Sequence, residues 1–158
     1  FEVTMPPRRY DVMGAILAAG VDSALAGADL VTALTRAAEA AGQDLVTADA
    51  ADTGGAGGTG GIAVQTGALA AVADVLRATG YEPRLDEQTL WFANCPFDTL
   101  AQSHPQLVCG LSTSMVRGVV TGLGRPGIEV TTDPEPGRCC VRAHLSTPEP
   151  GLPSAQTD

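Results

Sequence analysis

Pro105-Gln-Leu-Val-Cys-Gly-Leu-Ser-Thr-Ser-Met-Val-Arg-Gly-Val-Val-Thr-Gly-Leu-Gly124, followed by Ile128-Glu-Val-Thr-Thr132 and Arg138-Cys-Cys-Val-Arg-Ala-His-Leu145, is where the chain changes its period. In the first stretch Leu107, Leu111, Met115, Val119 and Leu123 recur every four residues, the stripe of an amphipathic helix, with Ser103 and Pro105 at its start and Gly124 at its stop. In the other two, apolar and polar residues alternate as in half-buried strands, and Asp133-Pro-Glu-Pro-Gly137 between them suits an antiparallel connection. This succession predicts an α+β fold, in which amphipathic helices pack on a small, mainly antiparallel sheet.

Working back toward the start, Thr89 to Cys95 and Tyr81 to Leu85 flank an Asp86-Glu87-Gln88 turn and read as a hairpin. Trp91 and Phe92 point to opposite faces of its second strand, so both faces are expected to be covered. Leu69, Val72 and Leu76 predict a helix closed by Gly80, with Arg77 in its last turn, where a cation suits the dipole. Residues 49–61, rich in Gly, Ala, Asp and Thr, read as a flexible loop. They contain the letters of a dinucleotide fingerprint, but no apolar strand precedes them and Asp49 and Asp52 would repel phosphate. Leu30, Leu34 and Ala38 predict a helix capped by Asp29 and ended by Gly42. Tyr10, Met13, Leu17, Val21 and Leu25 predict another, ending near Gly27. Residues 1–9, with Pro6 and Pro7, read as a linker from an upstream segment, residues 10–146 as one folded domain, and residues 147–158 as a tail.

The chain has 158 residues, nine basic groups against eighteen acidic ones, and a net charge of -9. Nucleic-acid affinity comes chiefly from clustered cations, so this piece is not expected to hold DNA by itself. All nine basic residues are arginine, which removes Schiff-base, Walker-type and lysine general-base chemistry. No apolar run is long enough to span a bilayer and no secretory leader is apparent, so a cytoplasmic location is expected.

The four cysteines, Cys95, Cys109, Cys139 and Cys140, carry the most chemical information. In a reducing compartment, clustered cysteines bind metal or do redox work more often than they form bridges. No C-x-x-C knuckle is present, yet a strand end, a helix start and a final strand can meet in a small α+β fold. If the last strand begins at Arg138, parity puts Cys139 on the core face with Val141, Ala143 and Leu145. Cys140 then points outward with Arg138, Arg142 and His144. Cys95, Cys109 and Cys139 therefore form the expected metal set, and His104 is the candidate fourth ligand. Arg138, Arg142 and Arg117 are expected to offset thiolate charge, with Cys140 nearby as an outer or redox-active group. Buried cysteines also pack simply as small hydrophobes.

Asn94-Cys-Pro-Phe-Asp-Thr-Leu-Ala-Gln-Ser-His-Pro-Gln-Leu-Val-Cys109 and Pro136-Gly-Arg-Cys-Cys-Val-Arg142, with Gly80-Tyr-Glu-Pro-Arg84 and Pro6-Pro-Arg-Arg-Tyr10, resemble the effector half of ArsR/DeoR-like winged-helix regulators, a group that includes the SufR iron–sulfur repressors. The resemblance covers most of the chain after Pro6 apart from the glycine loop and the tail. It implies a DNA-binding winged helix before Phe1, a homodimer, operator DNA contacted only through that upstream domain, and an iron–sulfur cluster held by Cys95, Cys109 and Cys139. On this expectation the chain is a non-enzymatic sensory domain of a transcriptional repressor. Two other readings stay open: a regulator domain that binds a small organic ligand in an apolar pocket between helices and sheet, with structural cysteines, and a thiol enzyme using Cys95 or Cys140 as nucleophile.

Overall fold

The computed structural model describes residues 8–53 and 63–146. It is an α+β fold of five helices and a four-stranded antiparallel sheet: α1 (Tyr10–Leu25), α2 (Leu30–Thr53), α3 (Ala63–Ala78), β1 (Pro83–Leu85), β2 (Thr89–Phe92), α4 (Asp98–Ser103), α5 (Pro105–Gly122), β3 (Ile128–Thr132) and β4 (Val141–Leu145). The strands lie in the order β1-β2-β4-β3, so the last of the described strands occupies a central place. Leu90 pairs with Ala143, and Ala143 with Val130. Among the described residues no helix is long and apolar enough to cross a membrane. Residues 1–7 of the expected linker, residues 54–61 of the expected glycine loop and the tail from 147 lie outside the described residues.

One face of the sheet, with Leu90, Phe92, Ile128, Val130, Val141 and Ala143, is buried under α3 and α5. α2 packs along α5, and α1 along α2. The other face is half open. Trp91, expected under cover, is only partly buried, with the Arg138 guanidinium 5.2 Å from its ring centroid. Three of the chain's few aromatic rings meet on the covered side: Tyr81 lies 4.8 Å from Phe92 and 6.2 Å, edge-on, from Phe97. The Tyr81 hydroxyl shares a 2.6 Å hydrogen bond with Ser112, which satisfies both polar groups inside the core.

Two helical readings change. Gly42 does not end α2, which runs on to Thr53. The residue sits where α2 crosses α5: a Cβ there would strike the Met115 carbonyl and Gly118 Cα, and a Cβ on Gly118 would strike the Glu39 carbonyl. Glycine at both positions lets the two backbones touch, and Gly27, Gly80 and Gly124 are the residues that close helices, with φ of +112°, +98° and +66°. In α1 the buried face is Met13, Ile16 and Gly20 rather than the larger stripe, because Leu34 of α2 fits against Gly20. Val21 and Leu25 are left 45% and 81% exposed. Asp29 caps α2 as expected, its Oδ2 accepting from the Thr32 N–H at 3.0 Å.

Candidate functional site

β2 ends at Phe92, and Asn94 fixes how the chain leaves it. Its Oδ1 accepts the Glu82 N–H at 2.6 Å and its Nδ2 donates to the Gly80 carbonyl at 3.0 Å. Cys95 follows, half-buried, and Phe97, fully buried, pins the turn that starts α4. Pro105, at the first position of α5, places Cys109 in the second turn of that helix, also half-buried. Thr113, one turn on, donates to the Cys109 carbonyl at 2.8 Å and shares a 2.7 Å bond with the Thr132 hydroxyl at the end of β3.

The connection from β3 to β4 brings the other two sulfurs to the same place. The Cys139 N–H donates to the Phe92 carbonyl at 3.0 Å, and the Asp133 N–H to the Cys140 carbonyl at 2.6 Å. Arg142 reaches Asp133 at 3.0 Å and Glu135 at 3.6 Å, and Arg138 pairs with Glu135, so both arginines brace this loop. Cys109 and Cys140 form a disulfide that ties α5 to the residue before β4. Cys95 and Cys139 are free thiols in hydrogen-bond contact. All four line a hollow of about 350 Å³ with Ala101 and Arg138.

The two free thiols are electrostatically unlike. Cys139 donates its S–H to Cys95, which holds the Cys95 thiol below its usual range against the opposing effect of burial. The same hydrogen bond, and then burial, push Cys139 far upward, so it stays protonated. Cys95 is the nucleophilic member of the pair, and it also lines a second hollow of about 350 Å³ with Arg8, Asn94 and Arg138.

Several expected placements change. The strand begins at Val141, not Arg138, because Pro134, Pro136 and Gly137 keep the approach irregular. Strand parity then says nothing about Cys139 and Cys140, and both are buried. Cys140, expected to point outward as a near-silent neighbour or an exposed nucleophile, is 7% exposed and bonded to Cys109. His104 sits exposed at the joint between α4 and α5, outside the sulfur hollow. Arg117 is also elsewhere, donating to the Val130 carbonyl at 3.0 Å. His144 is half-buried on the outer sheet face, 3.3 Å from Glu129. The pairing of Cys109 with Cys140 escaped the sequence reading, although the prolines before Cys139 carried the signal that a regular strand could not yet have begun.

Four sulfurs around one hollow are a soft donor set of the kind that suits zinc or an iron–sulfur cluster. In the oxidised form two of them are spent on each other, and among the described residues no three metal-ligating side chains stand ready together. The fit therefore requires Cys109–Cys140 to be reduced. Comparison with protein-family models, curated proteins and solved structures finds no match to this chain.

Proposed function

We propose that this chain is the sensory and dimerisation domain of a bacterial transcriptional repressor, that it is not an enzyme, and that its signal is read at the sulfur hollow. One observation carries the reading: four cysteines from the exit of β2, the second turn of α5 and the β3–β4 connection share one cavity. With Cys109–Cys140 reduced, Cys95, Cys109, Cys139 and Cys140 are the residues that would hold an iron–sulfur cluster or a metal ion. His104 has no part in this set. A bound cluster supplies an oxidant-sensitive group.

The chain's own residues supply the rest. Arg138 lines the hollow already paired with Glu135, which fixes the guanidinium beside the sulfurs. Cys109 couples the sulfur chemistry to α5, and α5 packs against α2, so a change at the sulfurs reaches the helical layer. Val21, Leu25, Leu30 and Val31, exposed around the α1–α2 turn, offer apolar surface for a homodimer. Operator DNA would be bound through an upstream winged helix, since this acidic chain lacks the cations for it.

Purification under anaerobic, reducing conditions, followed by a visible spectrum with iron, sulfide and zinc assays, tests the reading. Stoichiometric metal that is lost in Cys95→Ser supports it. A colourless, metal-free protein with four titratable thiols overturns it.

A further inference from the structure

A hollow of about 600 Å³ lies away from the sulfurs, between α2, the C-terminal half of α5 and edge strand β3. Its inner surface includes the buried side chains of Val120, Ile128 and Val130, and two guanidinium groups, Arg117 and Arg125, line it as well. We propose that it binds a small monocarboxylic acid with an apolar body.

The charge balance points there. In a chain with twice as many acidic as basic groups, Arg8, Arg9, Arg77, Arg138 and Arg142 each pair with a carboxylate. Among the described residues Arg36, Arg84, Arg117 and Arg125 pair with none, and two of these four, Arg117 and Arg125, stand in the same cavity. Glu129 of the same strand is engaged by His144, and Glu39, on the α2 wall, pairs with neither arginine. Arg125 goes further: its Nε is buried and has no hydrogen-bond partner. A buried donor left unmade is expensive, and native proteins keep few of them without a reason. The position is also held firmly. Gly124 turns the chain with φ of +66°, the Arg125 N–H donates to the Val120 carbonyl at 3.2 Å, and the Arg125 carbonyl accepts from the Ile128 N–H at 3.2 Å.

A guanidinium fork matches a carboxylate with two parallel hydrogen bonds, and the apolar wall takes a hydrocarbon body. Bare phosphate would gain nothing from Val120, Ile128 and Val130, and a polyanion would be repelled by Glu39. The volume is in the range of small-molecule sites, roughly 300–1,000 Å³. The site goes beyond the sulfur reading and stands without it.

Isothermal titration calorimetry and thermal melts with hexanoate test the site, with 1-hexanol as the apolar arm and inorganic phosphate as the anionic arm. Hexanoate is expected to bind at least tenfold more tightly than either and to raise the melting temperature. Arg125→Gln should weaken hexanoate tenfold or more, leave hexanol unchanged, and leave the iron and sulfide content of the anaerobic protein as it was. No heat or melting shift with hexanoate, or equal hexanoate affinity in wild type and Arg125→Gln, overturns the proposal.

Discussion

The two halves of α5 are held in opposite ways. Its first half is held by chemistry: the Cys109–Cys140 bond, the Ser112–Tyr81 hydrogen bond and the Thr113–Thr132 hydrogen bond. Its second half is held by shape, where Gly118 lets the α2 backbone press against it beside Gly42. A contact made by shape responds only to temperature and sequence, whereas a sulfur bond responds also to the redox state around it. The half that carries the sulfurs is thus the one that reduction of Cys109–Cys140 can loosen, while the glycine crossing is indifferent to it.

The strongest way to break this contrast is Gly118→Ala. Helix propensity alone favours alanine by about 1 kcal/mol. The added methyl would meet the Glu39 carbonyl, which is backbone and cannot swing aside, so a net loss of about 3–5 kcal/mol is expected in urea unfolding. Gly118→Ala as stable as wild type would remove the shape argument. Cys140→Ser comes next. Opening a bridge between residues 31 apart should lower stability by about 3–4 kcal/mol without reductant, and the difference should vanish when both proteins are reduced. Tyr81→Phe leaves the Ser112 hydroxyl buried without its partner and should cost about 1–2 kcal/mol, read from the same unfolding curves.

Gly110→Ala sharpens the comparison with the opposite sign. That glycine lies in α5 beside Cys109, exposed, with nothing near its added Cβ, so a gain of about 0.5–1 kcal/mol is expected. The smallest effect is one of reactivity. In the metal-free protein, iodoacetamide should label Cys95 and spare Cys139. Because the Cys95 thiol is shifted downward, its thiolate fraction at any given pH exceeds that of an ordinary thiol, and labelling should persist as the pH falls below the range where free cysteine reacts. Mass spectrometry of the labelled peptides checks this, and equal labelling of both residues would refute the asymmetry.

Much of the fold was legible in the residues, and for a plain reason. Long stripes such as Leu111, Met115 and Val119, and alternations such as Ile128 and Val130 or Val141 and Ala143, report burial directly. Gly42 was misread because a glycine that ends a helix and one that admits a neighbouring backbone look alike until the neighbour is in view. The paired cysteines were misassigned for a related reason: face parity is valid only inside a strand, and Cys139 and Cys140 precede it. The arginines of the hollow between α2, α5 and β3 left no local pattern, since only folding gathers Arg117 and Arg125 around one cavity.

The position of β4 has a consequence for how the molecule is made. It is the last of the four described strands to leave the ribosome, yet it sits between β2 and β3, which have no ladder with each other. The β1–β2 hairpin can form early, but β3 has no partner until Val141–Leu145 emerges. A nascent chain paused before that point carries unfilled edges and an uncovered apolar face, so the emergence of β4 decides between a closed sheet and an aggregation-prone one.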